Sequence, residues 1–331
     1  MFIVDNVPLA ILFCVITMLG WGSWANTQKL AGKDRWPFPL FYWDYAIGVL
    51  LFGIVFALTA GSFGSAGEPA LTNLAHASAS GILMAFLSGA LFNVSNILLV
   101  VAIDCAGMSL AFPVGVGLAL VIGTVVSYLQ TPKGSPSMLF SGVALVVLAM
   151  VLSALAHSKL PRKEGVHPAH GVIYSVIAGC LMGYFYPQLI SSISPGFQSQ
   201  PIQPGLLTPY SALLIFGVGV FVSNFVVNGV FLKVNRLKYS DYFAGSARLH
   251  AIGVLGGAIW MLALCLNVIA SGIAGPAVSY ALGQGATLIA AIWGVFIWKE
   301  FSNAPRGVTP LIVLMFAGYA AGLVLIGLTT L

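Results

Sequence analysis

Residues 79–130 read ASGILMAFLSGALFNVSNILLVVAIDCAGMSLAFPVGVGLALVIGTVVSYLQ and contain a single charged side chain, Asp104. A helix needs roughly 20 mostly apolar residues to cross the hydrocarbon core of a bilayer, so this stretch is long enough for two crossings. The connection Ala106-Gly107-Met108 divides the stretch and predicts a tight helical hairpin. Because lipid holds no water to satisfy free backbone groups, the two crossings are expected to be helices.

Similar apolar stretches occupy most of the 331-residue chain, which is 59% hydrophobic and only 6% charged. Soluble domains contain about 25% charged residues, because a surface in water needs polar cover. The sequence therefore predicts an all-α integral membrane protein with ten spans. They lie at about 7–30, 40–61, 79–104, 107–130, 136–157, 170–194, 209–233, 247–270, 273–297 and 308–330. The eighth and ninth spans are predicted to join through Ser271-Gly272-Ile273, and the first span lacks the features of a cleaved signal peptide.

The 13 lysines and arginines are divided unequally between the two sides that ten spans create. Lys133 lies on the side that carries both termini. The other basic residues lie on the opposite side and are Lys29, Lys33, Arg35, Lys159, Arg162, Lys163, Lys233, Arg236, Lys238, Arg248, Lys299 and Arg306. Cytoplasmic loops are enriched in Lys and Arg, so we predict a plasma or inner membrane protein with both termini outside. Topology also accounts for the net charge of +5 without a nucleic-acid partner.

The connection at residues 158–169 separates two halves, residues 1–157 and 170–331, with five predicted spans in each. An odd number of spans per half places the two halves in opposite orientations. Two hairpins support a repeat: Ala106-Gly107 is followed by Gly115-x-Gly117, and Ala274-Gly275 by Gly283-x-Gly285, at a constant offset of 168 residues. Inverted repeats are typical of secondary transporters, which bind solute near the midplane.

Polar and aromatic residues at mid-depth are the candidate solute-binding residues, because such groups are costly in lipid and often functional. They are Trp21, Asn26, Asn93, Asn96, Tyr184, Tyr186, Trp260, Tyr280 and Gln284. Amides beside aromatic rings suit a neutral polar solute with flat faces, either a sugar or a planar amide heterocycle. The structural alternative is that the amides link helices and the rings form interfacial belts, and Asn224 and Asn228 are expected to be such links.

Other residues suggest mobility or charge coupling. Pro113, Gly115, Gly117, Gly283 and Gly285 predict either helix hinges that line a cavity or positions of close helix packing.

Two acids are candidates for proton coupling or gating. Asp44 lies inside the second span and Asp104 at the end of the third. Pairing of Asp44 with Lys33 or Arg35 is the structural alternative, and Glu300 beside Lys299 predicts a surface ion pair.

Enzymatic and metal sites are not indicated. Cys14, Cys105, Cys180 and Cys265 form no C-x-x-C pair and are interpreted as small buried hydrophobic residues. The sequence contains no nucleophile elbow, P-loop lysine or H-E-x-x-H motif. We therefore expect no cofactor and no catalytic residue.

Several short runs, distributed over essentially the whole chain, carry a family resemblance through their order and spacing. They are Trp21-Gly22-Ser23-Trp24, Tyr42-Trp43-Asp44-Tyr45, Val121-Ile122-Gly123-Thr124, Tyr184-Phe185-Tyr186-Pro187, the stretch from Gly253 to Trp260, Ala274-Gly275, Trp293-Gly294 and Trp298-Lys299-Glu300-Phe301. In this order they resemble plant ureide permeases and bacterial sugar-uptake proteins of the drug/metabolite transporter superfamily.

The resemblance implies a ten-helix transporter of two inverted five-helix repeats. It also implies proton-coupled uptake, of ureides and nucleobases in the plant members and of glucose or ribose in the bacterial ones. The chain lacks the large central cytoplasmic loop of the plant members, which favours a compact bacterial member. It also lacks the acidic residue that small multidrug relatives carry in the first span. We therefore expect an importer of a small neutral polar solute, proton-coupled or facilitative; an exporter of the same fold, an intramembrane enzyme and a channel are the alternatives.

Overall fold

The computed structural model describes residues 1–32, 36–64, 66–160, 168–199, 201–302, 304–305 and 307–329. Within these ranges, ten helices are long and apolar enough to cross a membrane. They are α1 (Val7–Ala31), α2 (Phe38–Leu58), α3 (Ala79–Ala106), α4 (Met108–Gln130), α5 (Pro136–Ser158), α6 (Pro168–Ser191), α7 (Pro209–Val234), α8 (Ala247–Ala274), α9 (Pro276–Ile297) and α10 (Val308–Leu328). The predicted all-α membrane fold with ten spans is confirmed.

Local signals explain where several helices begin. The side chains of Asn6, Ser78 and Thr208 accept hydrogen bonds from the backbone N–H of Leu9, Gly81 and Ser211, respectively. These bonds satisfy backbone donors that have no partner within the first helical turn. Proline occupies the first turn of α5, α7 and α9, where its missing N–H costs nothing.

The two tight hairpins have the same geometry. Gly107 (φ 78°) separates α3 from α4, and Gly275 (φ 89°) separates α8 from α9. The N–H of each glycine donates to a carbonyl four residues earlier at 2.8 Å, Ile103 in the first case and Ser271 in the second. The predicted break of the second hairpin at Ser271-Gly272-Ile273 is therefore wrong. Helix α8 continues to Ala274, because the left-handed turn occurs at Gly275.

Glycines allow close packing of two helix pairs. Gly48 of α2 lies against the carbonyl of Val254, and Gly257 of α8 lies against that of Tyr45. The pair α3 and α7 repeats this arrangement, with Gly89 against the carbonyl of Phe216 and Gly219 against that of Phe86. A Cβ atom at any of the four glycines would overlap the facing backbone, so small residues set these interhelical distances.

Contacts between connections divide the bundle into two ends. At the end we name the terminal end, the amino group of Met1 donates to the carbonyl of Ala66, and Lys133 donates to that of Gly272. At the opposite, basic end, Lys29 pairs with Glu300. The other described basic residues lie in or beside connections at the basic end. They are Lys29, Lys159, Lys233, Arg236, Lys238, Arg248 and Lys299. Residues Lys33, Arg35, Arg162, Lys163 and Arg306 lie outside the described residues.

The ninth span is interrupted, whereas the fourth is not. Helix α9 breaks at Gln284 and Gly285 and ends in a π-helical turn, Trp293–Ile297. Helix α4 runs without a break through Pro113, Gly115 and Gly117. Of the predicted hinge positions, Gly283 and Gly285 therefore lie beside an interruption. Gly115 instead packs closely on the α6 backbone, with the carbonyl of Ser175 3.4 Å from its Cβ position.

Candidate functional site

A central cavity of about 130 Å³ lies at mid-depth among α1, α3, α4, α6, α8 and α9. Its walls include the rings of Trp21, Trp24, Phe92, Phe112, Phe185 and Trp260, and the polar side chains of Asn96, Gln284 and Thr287. No charged side chain is found among the described residues that line it. The cavity therefore suits a small uncharged molecule.

Trp260 organises the aromatic wall. Its ring stacks on Phe92 with the ring centroids 4.0 Å apart, and on Trp21 with the centroids 5.9 Å apart and the planes 19° apart. The indole N–H of Trp21 donates to the Trp260 carbonyl at 3.3 Å, which ties α1 to α8. Because these rings hold one another in place, they form flat apolar surfaces with little freedom to collapse into the cavity.

Two side-chain amides supply the polar edge. Asn96 Nδ2 donates to the hydroxyl of Tyr42 at 3.2 Å, which orients the amide and keeps its carbonyl oxygen as an acceptor. Gln284 stands at the interruption of α9 and is only 8% exposed. Thr287 donates its hydroxyl to the Gln284 carbonyl at 3.0 Å, so the unwound turn is partly satisfied from within.

A second cavity of about 180 Å³, which we name the vestibule, extends from the central cavity to the basic end. Phe112, Thr287 and Ala290 line both cavities and mark the passage between them. The mouth of the vestibule includes Lys29, whose side chain is 45% exposed. The pathway is therefore open toward the basic end.

Glu300 is the centre of an ion network at this mouth. Its carboxylate accepts from Lys29 Nζ at 3.0 Å and lies 3.7 Å from His157 Nε2. The predicted pair with the neighbouring Lys299 is not the one observed. The nearby His157, together with Lys29 and against the effect of burial, lowers the pKa of Glu300 to about 2. The carboxylate is thus ionised at neutral pH.

The terminal end of the pathway is closed by Tyr280. Its buried hydroxyl points at two backbone carbonyls, Ala119 of α4 at 3.3 Å and Met182 of α6 at 3.2 Å. Its ring packs on Tyr186, with centroids 4.8 Å apart, and on Gly123, where a Cβ atom would overlap the ring. A third cavity of about 420 Å³ lies at the terminal end, lined by Gln130, Lys133 and Ser191 among others.

The structure brings some of the predicted binding residues together and separates others. Trp21, Asn96, Trp260 and Gln284 line the central cavity, and Asn26 and Pro113 line the vestibule.

Four of the predicted binding residues lie away from the central cavity. Tyr186 and Tyr280 belong to the closure, because both are fully buried and pack on each other. Asn93 is buried and donates to Ser223 of α7 at 2.9 Å, so it links helices. Tyr184 is 46% exposed on the outer surface of α6, one residue out of phase with the inward-facing Phe185. Asn228 donates to the Pro39 carbonyl at 2.9 Å, which agrees with its expected role as a link.

Sequence reasoning missed the phenylalanines of the central cavity. Phe92 lies one helical turn before Asn96 and therefore shares its face, and Phe112 lies at the 168-residue offset from Tyr280. Both signals were present in the sequence, but phenylalanine is so common in spans that neither residue stands out.

Asp44 lies away from the cavities, in a polar cluster at the basic end. It is 1% exposed; Oδ1 accepts from the Tyr242 hydroxyl at 2.7 Å and lies 2.8 Å from His250 Nδ1, and Oδ2 accepts from Trp36 at 3.2 Å. These contacts join α2 to α8 and to the short helix Tyr239–Phe243. Burial and the adjacent carboxyl raise the pKa of Tyr242. The alternative partners Lys33 and Arg35 lie outside the described residues, and Asp104 is exposed at the end of α3.

The fold and cavities define an all-α, multi-pass membrane protein with a solute-sized central chamber reached from one end. The sequence model of the ureide permease family matches residues 41–166, less than half of the chain. The chain is 22% identical to ureide permease 1 of Arabidopsis thaliana, over 95% of each chain, and 21% identical to ureide permease 4 of the same plant, over 98% of each. One solved crystal structure, 14% identical, has a TM-score of 0.58 over 96% of both chains and is similar in fold.

Proposed function

We propose that this protein is a secondary transporter that imports a small neutral solute of the ureide or nucleobase class. The central cavity is the observation that carries this proposal. A planar molecule with amide N–H and C=O groups can stack on the indole and phenyl faces while it exchanges hydrogen bonds with Asn96 and Gln284. The full-length similarity to two plant proteins named ureide permease supports the same class.

A sugar fits this chamber less well. Hydroxyl groups around a whole sugar ring need polar partners on several sides, whereas the polar side chains of this wall are chiefly Asn96, Gln284 and Thr287. The volume of about 130 Å³ is also well below the roughly 300–1,000 Å³ of pockets for drug-sized ligands, which disfavours bulky drugs. The solute that fits the central cavity best is therefore a single planar ring or a compact ureide.

Transport would proceed by alternating access between two inverted five-helix halves. Helix packing supports this arrangement: α3 packs on α6 as α8 packs on α1, and α2 packs on α8 as α7 packs on α3. The glycine contacts of the last two pairs are equivalent, and so are the two hairpin glycines. In the proposed orientation, with the basic end in the cytoplasm and both termini outside, an open vestibule corresponds to an inward-open state.

Coupling to a proton gradient is proposed at the vestibule. The candidate residue is His157, because it lines the vestibule 3.7 Å from the Glu300 carboxylate and histidine is the residue type best suited to proton transfer near neutral pH. Asp44 is the weaker candidate, because its carboxylate is enclosed by Trp36, Tyr242 and His250 and contacts neither cavity.

Uptake of radiolabelled allantoin, uracil, ribose and glucose into proteoliposomes, with and without an acidic exterior, tests the proposal. We expect saturable uptake of allantoin or uracil well above that of either sugar. Asn96→Leu and Gln284→Leu should each raise the KM at least about tenfold, because a lost bond to a polar ligand costs more than 1 kcal/mol. Asn93→Leu is the matched control, since this amide lies one turn away on the same helix and should leave the KM unchanged.

Preferred uptake of a sugar would overturn the solute class, and flux that does not saturate would indicate a channel. Equal KM changes in the Asn93 and Asn96 variants would show that the central cavity is not the binding site.

A further inference from the structure

Tyr280 and Phe112 occupy equivalent positions in the two halves. Each lies five residues after the glycine that turns a helical hairpin, Gly275 in one case and Gly107 in the other. The two hairpin glycines share positive φ angles and the same hydrogen bond to the preceding helix. Equivalence of the two aromatic residues therefore follows from local geometry as well as from the 168-residue offset.

The two residues have equivalent neighbours, but Tyr280 lies in a closed passage and Phe112 in an open one. Tyr280 closes the terminal end against the carbonyl of Ala119 and the ring space beside Gly123. At the same offset, the counterparts of Ala119 and Gly123 are Thr287 and Ala291. Phe112, Thr287 and Ala291 all line the vestibule, where the passage is open.

We propose that Phe112 is the gate at the basic end, that Tyr280 is the gate at the terminal end, and that the two gates are chemically unequal. The inference rests on the alternating access proposed above. When the basic end closes, the Phe112 ring approaches Thr287 and Ala291 by the same movement that brings Tyr280 against α4. Phenylalanine has no hydroxyl, so this closure lacks the bond that holds the terminal end. The missing bond biases the protein toward the state in which the basic end is open.

The test uses thiol labelling and needs no substrate. Cys14 is fully buried beside Ser279 and Tyr186, behind the terminal closure. It can report opening of that end in a protein whose Cys105, Cys180 and Cys265 are replaced by alanine. In a second protein, without Cys14, Ser153→Cys reports access to the vestibule, which Ser153 lines. A membrane-impermeant maleimide is added to one side of the vesicles at a time.

Tyr280→Phe should raise the labelling rate of Cys14 from the terminal side about tenfold, and should lower that of the vestibule reporter. Phe112→Tyr should likewise raise the labelling rate of Cys14 and lower that of the vestibule reporter, because it supplies the missing donor at the other gate. The double variant moves the hydroxyl from one end to the other and should show the largest shift. Tyr45→Phe is the control, since it removes a buried hydroxyl that has no hydrogen-bond partner among the described residues.

Unchanged Cys14 labelling in both single variants would overturn the proposal, as would an equal rise in Tyr45→Phe. If Tyr280→Phe does not fold, Phe112→Tyr alone decides, because it adds one atom in an open passage. A labelling shift without uptake of any of the four solutes would support the proposed gates and contradict the proposed solute class. Uptake of one of these solutes with unshifted labelling would support the solute class and contradict the proposed gates.

Discussion

The terminal end and the basic end of the pathway differ in their chemistry. At the terminal end, the Tyr280 hydroxyl meets backbone carbonyls, and the packed groups are neutral. At the basic end, a carboxylate is shared by Lys29 and His157 around an open mouth. The closed end is thus sealed by a hydroxyl on backbone acceptors and by ring packing, whereas the Lys29–Glu300 pair lies at an open mouth that water reaches.

The largest effect is expected at the basic end, in the cluster around Asp44. Asp44→Asn replaces an acceptor-only carboxylate with an amide whose NH₂ group faces donors. Thermal stability in detergent should fall by the equivalent of about 2–4 kcal/mol, as for other buried charged hydrogen-bond networks. Asp5→Asn, an exposed residue that bonds only its neighbour Asn6 in the described contacts, is the control. Equal melting temperatures for the two variants would contradict the structural role of the cluster.

The next effect addresses the terminal closure through Gly123. Gly123→Ala places a methyl group into the Tyr280 ring, and overpacking of this kind costs about 1–3 kcal/mol. The melting temperature should fall and Cys14 should become easier to label. Gly117→Ala on the same helix is the matched control, because its nearest neighbour is the Met150 sulfur at 3.9 Å. A stable Gly123→Ala protein with unchanged labelling would mean that the ring does not seal the pathway.

A smaller, pH-dependent effect is expected from Glu300. Its pKa is lowered to about 2 in the folded protein, below the usual value of about 4.3. The ionised carboxylate therefore stabilises the fold at neutral pH, and this stabilisation is lost as the pH falls from about 4.3 toward 2. The difference in melting temperature between the native protein and Glu300→Gln should shrink over that interval. A difference that stays constant with pH would show that the ion network does not stabilise the fold.

The smallest effect is expected from Lys29. Its side chain is 45% exposed, so its bond to Glu300 is screened by solvent, and its ammonium group also lies 4.7 Å from the centre of the Trp298 ring. Lys29→Gln should lower stability by less than about 1 kcal/mol, and less still at high salt. Thermal unfolding at low and high ionic strength measures this. A loss of stability as large as that of Asp44→Asn would show that the Lys29–Glu300 pair stabilises the fold as much as the Asp44 cluster does.

Some features of the site were open to prediction from the sequence and others were not. Trp21, Asn96, Trp260 and Gln284 were found because polar and aromatic groups at mid-depth are rare enough to notice. The positions of Tyr184 and Tyr186 away from the cavity could not be predicted, because neighbouring residues of one helix face different directions and only packing reveals which faces inward. The hydrogen-bond partners of Asp44, Tyr242 and His250, could not be predicted because they come from distant segments of the chain.

The sequence by itself determined the ten spans, their order and the first hairpin glycine, Gly107, since apolar length and the need for a left-handed turn are local properties. Only the tertiary structure decided which end of the pathway is open and which aromatic residue seals it. That outcome depends on whether the Tyr280 hydroxyl meets carbonyls of α4 and α6, and on whether Phe112 faces an empty passage. These distances are set by helix packing between the two halves, which no local stretch of sequence encodes.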